Sequence, residues 1–127
     1  MKDITSEWVM KAEGDILTAQ REMKAAPANY DAVCFHAQQC AEKYIKARLV
    51  EEGIEFPKTH DLGALLNQLL PIEPGWDFWR ESLARLTALA VEVRYPGLFM
   101  DARDASEALQ TAERVRSFIR ASLHLEK

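Results

Sequence analysis

Residues 30–52, YDAVCFHAQQCAEKYIKARLVEE, decide the fold. Tyr30, Val33, Cys34, Ala37, Ala41, Tyr44 and Arg48 recur at helical spacing and make one stripe. Ala, Glu, Lys, Arg and Gln, all good helix formers, fill much of the rest. Gly53 follows where a left-handed residue commonly ends a helix. The stretch predicts a helix over roughly 29–52. Behind its stripe, Phe35, Gln39, Glu42 and Lys46 form a second row, with Gln38, Ile45 and Leu49 at its edge. Phe, Ile and Leu gathered on a back face are either scattered surface hydrophobes or, the expectation taken here, a surface between two copies of the chain.

Outward from that helix, breakers divide the chain. Pro27, Gly53 with Pro57, Pro71 with Pro74 and Gly75, and Pro96 with Gly97 leave five blocks. None alternates with period two, so the expectation is an all-α bundle of about five helices in one domain spanning 1–127. The predicted helices run over roughly 6–24 (capped by Thr5 or Ser6), 29–52, 61–70 (capped by Thr59), 77–95 and 102–123 (capped by Asp101). The fourth is apolar on two faces. Trp79, Leu83, Leu86, Ala90 and Val93 lie on one, and Ala84, Ala88, Val91 and Tyr95 on the other. Its second face, with Ala88 and Val91, joins Phe35, Gln39 and Glu42 as a candidate homodimer surface.

The composition fits this reading. The chain has 127 residues, 48% hydrophobic and 28% charged, enough for one core without staples. No apolar run approaches the roughly 20 residues of a membrane helix, and the opening MKDITSEW carries no secretion-signal stretch. A net charge of −4 argues against a non-specific duplex-DNA binder, which relies on neutralising phosphates. Cys34 and Cys40, six apart on one helix, are too far apart to bridge, so the expected compartment is the reducing cytoplasm. No metal-ligand spacing, Gly-rich phosphate loop or nucleophile elbow is present, and no cofactor is expected.

Three groups could carry chemistry. Asp15 falls inside the apolar face of the first helix, where a carboxylate needs a partner. Either it pairs with a basic group such as Arg48 or Arg116, or it shapes a polar pocket. Arg94 and Tyr95 precede Pro96. A guanidinium there suits the negative end of a helix dipole, and beside an aromatic it also suits phosphate and base recognition. His60 lies in Lys58-Thr59-His60-Asp61-Leu62, at a helix start able to hold an anion. Lys43 and Lys46 flank the second helix, as solvated charge or as phosphate contacts.

The run Phe35-His36-Ala37-Gln38-Gln39-Cys40-Ala41-Glu42-Lys43-Tyr44-Ile45-Lys46-Ala47, then Pro57-Lys58-Thr59-His60-Asp61-Leu62, resembles the HEPN domain. Ala12 to Asp15 fits that family's A-x-x-D pattern, and Arg94-Tyr95-Pro96 falls where it often has R-Y-P. The resemblance implies a five-helix, up-and-down, HEPN-like bundle that commonly dimerises, and a link to nucleotides or RNA. It also implies a minimal nucleotidyltransferase as partner, in a two-component or toxin–antitoxin pair. One branch of the family consists of metal-independent ribonucleases carrying R-x4–6-H near the fourth helix. Here Arg94 is followed by Tyr-Pro-Gly-Leu-Phe-Met-Asp with no His in range, and Arg120 and His124 are one residue too close. The expectation is thus a binding component rather than an enzyme. Its candidate ligand residues are Arg94, Tyr95, Lys43, Lys46, His60 and Asp15. The alternatives are a divergent ribonuclease using Arg94 with His60, and a protein-interaction adaptor.

Overall fold

The computed structural model describes residues 1–126. Among them are five α-helices and no strand: α1 Asp3–Lys24, α2 Tyr30–Glu51, α3 Leu62–Leu69, α4 Arg80–Glu92 and α5 Ala102–Ser122. A 3-10 turn, Pro74–Trp79, leads into α4. No described helix is long and apolar enough to cross a membrane.

α2 is the axle of the bundle, packed by α1 and α5 along its length and by α3 and α4 beside them. Its apolar stripe enters the core as expected, with Val33, Cys34, Ala37, Ala41 and Tyr44 fully buried. The back face differs from expectation. Gln38, Glu42, Ile45, Lys46 and Leu49 are also buried within the single chain. On this side α2 is covered by the chain's own α1, α3 and the loop between α2 and α3, so Gln38, Glu42, Ile45, Lys46 and Leu49 need no second copy to bury them. Glu42 therefore leaves the candidate dimer surface, while Phe35 and Gln39 stay half-buried.

The helix ends follow local chemistry. Asn29 caps α2 by accepting from the Ala32 amide, and Gly53, at φ 69°, turns the chain away after it. Asp101 caps α5 in a reciprocal capping box with Asp104. The expected caps of α1 and α3 need correction. Thr5 lies inside α1, buried, and its hydroxyl donates to Glu51 at 2.9 Å, tying α1 to the end of α2. Asp61, not Thr59, caps α3 by accepting from the Gly63 amide, and Thr59 accepts instead from the Asp61 amide. α4 is shorter than its apolar pattern. Pro74 starts a 3-10 turn rather than an α-turn, and Pro96 disfavours helical backbone in the residue before it. Arg94 and Tyr95 thus sit in the turn beyond α4, ahead of Gly97 at φ 85°. One face of α4 is core (Leu83, Leu86, Leu89, Ala90), while Ala84, Val91 and Tyr95 are exposed and Ala88 is half-buried.

Candidate functional site

Each charged group on the inner faces of α1 and α2 has an assigned partner. Asp15, buried on α1, faces two residues of α2 seven positions apart, hence on the same face. Lys43 Nζ donates to its Oδ2 at 2.6 Å, and His36 Nδ1 lies 2.9 Å from its Oδ1. The partner expected for Asp15 was Arg48 or Arg116. Arg48 instead bonds Glu52 and Glu73, and Arg116 clamps Glu13 with two bonds of 2.7 and 2.8 Å. Tyr44 adds its hydroxyl to the same Glu13. The Arg116 guanidinium holds the Glu13 carboxyl below its ordinary value of 4.5 against the opposing effect of burial.

Glu42, on α2 itself, repeats the arrangement. Its Oε2 accepts from Lys46 Nζ at 3.0 Å. Its Oε1 accepts from Gln38 Nε2 at 3.1 Å and lies 2.8 Å from His60 Nδ1. Burial pushes the Glu42 carboxyl up, but the bonds from His60, Gln38 and Lys46 outweigh it and leave the group below 4.5. An ionised carboxylate can only accept, so the Nδ1 of His60 carries a proton and Nε2 is the free ring nitrogen. Gln38 spends its other amide hydrogen on the His60 carbonyl at 2.9 Å, which fixes the loop carrying the imidazole. Lys46 also stands 5.5 Å from the ring centres of Trp8 and Phe56.

These contacts reorder the predicted ligand set. Lys46 is a correction: buried, paired and covered by two rings, it cannot reach a ligand. Lys43 is held by Asp15 and opens onto a separate groove with Trp8 and Lys11 on α1. Asp15 lines none of the clefts around Arg94 and serves as a clasp between α1 and α2. Arg94 and His60 do share a cleft, of about 170 Å³, with Gln38, Thr87, Ala90 and Val91. Arg94 lines a second and larger cleft of about 660 Å³, whose walls include Tyr30, Phe35, His36 and Phe99. Arg94 is exposed and has no ion pair among the described residues. Tyr95 stands beside it, exposed, outside both clefts.

His36 is the residue that sequence reading passed over. The signal was its seven-residue spacing from Lys43, which puts both opposite Asp15. No group of described side chains could hold a metal ion. Cys34 and Cys40 are buried. Burial pushes the Cys34 thiol up to about 12 and the Cys40 thiol up as well, so both remain protonated.

The HEPN domain model matches residues 5–122. The chain belongs to the HEPN domain family. A protein of Methanocaldococcus jannaschii named "Putative toxin MJ1304" is 28% identical over 130 residues, covering 89% of this chain and 84% of its own. The crystal structure of an archaeal HEPN homologue, ST0689, matches with a TM-score of 0.72 and 26% identity, over 96% of this chain and 98% of that one. The crystal structure of TT1696 from Thermus thermophilus matches with a TM-score of 0.83 and 21% identity, over 94% and 98% of the two chains. The five-helix HEPN bundle is thus the fold of this chain.

Proposed function

We propose that this HEPN protein binds a nucleotide or RNA at the paired clefts around Arg94. One observation carries the reading: Arg94 is an exposed, unpaired guanidinium shared by two clefts, while other candidate cations are spent on carboxylates. The larger cleft offers aromatic walls from Tyr30, Phe35 and Phe99, on which a base can stack. The guanidinium supplies charge-assisted bonds to phosphate. Tyr95 extends the surface on which a base can lie. Calorimetric titration with ATP, GTP and short single-stranded RNA tests this, and silence with all of them defeats it.

The protein works, in this reading, as one member of a pair with a minimal nucleotidyltransferase, and acts as a homodimer in the cytoplasm. The exposed apolar residues Val91 and Leu98 beside the half-buried Ala88 support a second copy on that side. Light scattering gives the mass, and co-expression with the nucleotidyltransferase tests the pair. A relative whose name carries the word toxin supports a toxin-like role for the pair.

A metal-independent endoribonuclease is the second reading, favoured by the placement of His60 and His36 in the two clefts that flank Arg94. Incubation with RNA in EDTA separates the two. Cleavage lost with Arg94→Ala selects the enzyme, and intact RNA beside measurable binding selects the binding protein.

A further inference from the structure

The small cleft beside Arg94 offers two unspent donors, Arg94 and Thr87, and one free ring nitrogen, on His60. Thr87 Oγ1 accepts the Leu62 amide at 3.2 Å, which uses an oxygen lone pair and leaves the hydroxyl proton free to donate. His60 is held through Nδ1 by Glu42, so Nε2 is its free ring nitrogen, able to accept a P–OH hydrogen from the neutral ring or to donate from the imidazolium. Arg94 brings up to five N–H donors and has no ion pair among the described residues. Gln38, the remaining polar wall, is fully committed. Its amide hydrogens go to Glu42 and the His60 carbonyl, and its oxygen accepts from Gln39 at 2.8 Å. No carboxylate lines the cleft. Glu42, the acid bound to His60, turns its oxygens to Lys46, Gln38 and His60.

We propose that this cleft is a phosphoryl subsite, in which one phosphate group sits between the Arg94 guanidinium, the Thr87 hydroxyl and the free ring nitrogen of His60. The proposal rests on the reading that the protein binds a nucleotide or RNA, and it states which cleft takes which part. At about 170 Å³ the cleft falls below the roughly 300 Å³ at which pockets begin to hold whole drug-sized ligands. It suits a phosphate group, and the base and sugar belong in the 660 Å³ cleft on the other side of Arg94. These three groups come from three segments, the loop before α3, α4 and the turn after it. Glu42 orients one of them from the buried side. Glu42 is thus a positioning residue whose partner, not itself, touches the phosphate.

The test uses the full chain, titrated separately with inorganic phosphate, AMP and a short single-stranded RNA, with imidazole NMR signals and calorimetry as readouts. The expected result is a saturable shift of the His60 ring signals with inorganic phosphate, while His36 and His124 stay put. With AMP the His36 signals move as well, since the nucleoside fills the larger cleft. Thr87→Val weakens phosphate and AMP about tenfold and Thr87→Ser restores both, which separates the hydroxyl from a packing defect. The subsite is overturned if Thr87→Val leaves the affinities unchanged, or if inorganic phosphate shifts His36 and not His60. In those cases RNA still binds and the functional reading survives. If none of the three probes binds the wild-type chain, the subsite and the functional reading fall together.

Discussion

Asp15 and Glu42 hold the same company in two settings. Each carboxylate gives one oxygen to a lysine and the other to the Nδ1 of a histidine, yet the surroundings differ. Around Asp15, Lys43 and His36 are comparably wet, 24% and 30% exposed, and both lie on α2. That group is a clasp between two helices with water at its edge. Around Glu42, the lysine is 10% exposed and the histidine 66%. There the charge pair is locked inside and only the imidazole reaches out, on a loop rather than a helix. One arrangement of side chains thus joins helices in one setting and aims a ring in the other. Burial of the lysine decides between the two.

The largest effect comes from breaking the buried member. Glu42→Ala leaves Lys46 charged and unpaired between Trp8 and Phe56, and removes the acceptor of Gln38 and His60. Removing one partner of a buried pair costs about 3–5 kcal/mol. Urea unfolding measures it. Glu42→Ala combined with Lys46→Met recovers most of the loss, because the stranded cation goes too. Recovery of less than a third would mean that the pair is not what holds this face of α2.

Next in size is the effect on binding. Arg94→Ala weakens nucleotide or RNA by about 1–3 kcal/mol, the range for losing a charge-assisted contact, and leaves stability unchanged because Arg94 carries no ion pair among the described residues. Asp15→Ala has the opposite profile. It costs stability, about 1–2 kcal/mol, since Lys43 and His36 can turn to water. It leaves binding in the small cleft intact. Paired titrations and melts on the two variants check the contrast.

Acid titration sharpens it further. Glu42 and Glu13 both have folded values below their ordinary 4.5. The folded state therefore binds fewer protons than the unfolded one, and the stability these groups contribute is complete above that value. It drains away as pH falls through it toward the lower folded value. Unfolding free energy measured between pH 7 and pH 3 declines on the acid side for the wild type, and Glu42→Gln flattens part of that decline. An equally steep acid limb in Glu42→Gln and wild type would assign the effect to Glu13 with Arg116 and to Glu51 and Asp101, whose carboxyls hydrogen bonds also hold low.

The helices were legible because breakers and period carry them. Pro27, Gly53, Pro71 and Pro96 divide the chain where the helices end or soon after, and Asp101 announced its own capping box. What was not legible is which faces the bundle closes over. A row of Phe35, Gln39, Glu42 and Lys46 reads the same whether a second copy or the chain's own loop covers it. Only the path of residues 53–61 past α2 distinguishes them. His60 and Arg94 were picked out by local context, but their meeting in one cleft depends on packing across 34 residues of chain, which no spacing rule encodes. The opposite error is Lys46. A lysine on a helix is normally solvated, and here an i,i+4 carboxylate and two aromatic rings took it inside.

The smallest expected effect tests the exclusion of the lysines from the site. Lys43 is held by Asp15 at 2.6 Å and lines the α1 groove with Trp8 and Lys11, not the clefts around Arg94. A paired cation on another wall adds only long-range attraction, and salt screens that beyond about 8–10 Å. Lys43→Met therefore changes nucleotide affinity less than about twofold at roughly physiological salt, while it frees Asp15 and costs a little stability. A loss comparable to that of Arg94→Ala would mean that the ligand reaches across α2 to the α1 groove. The two clefts around Arg94 would then be only part of the surface it occupies.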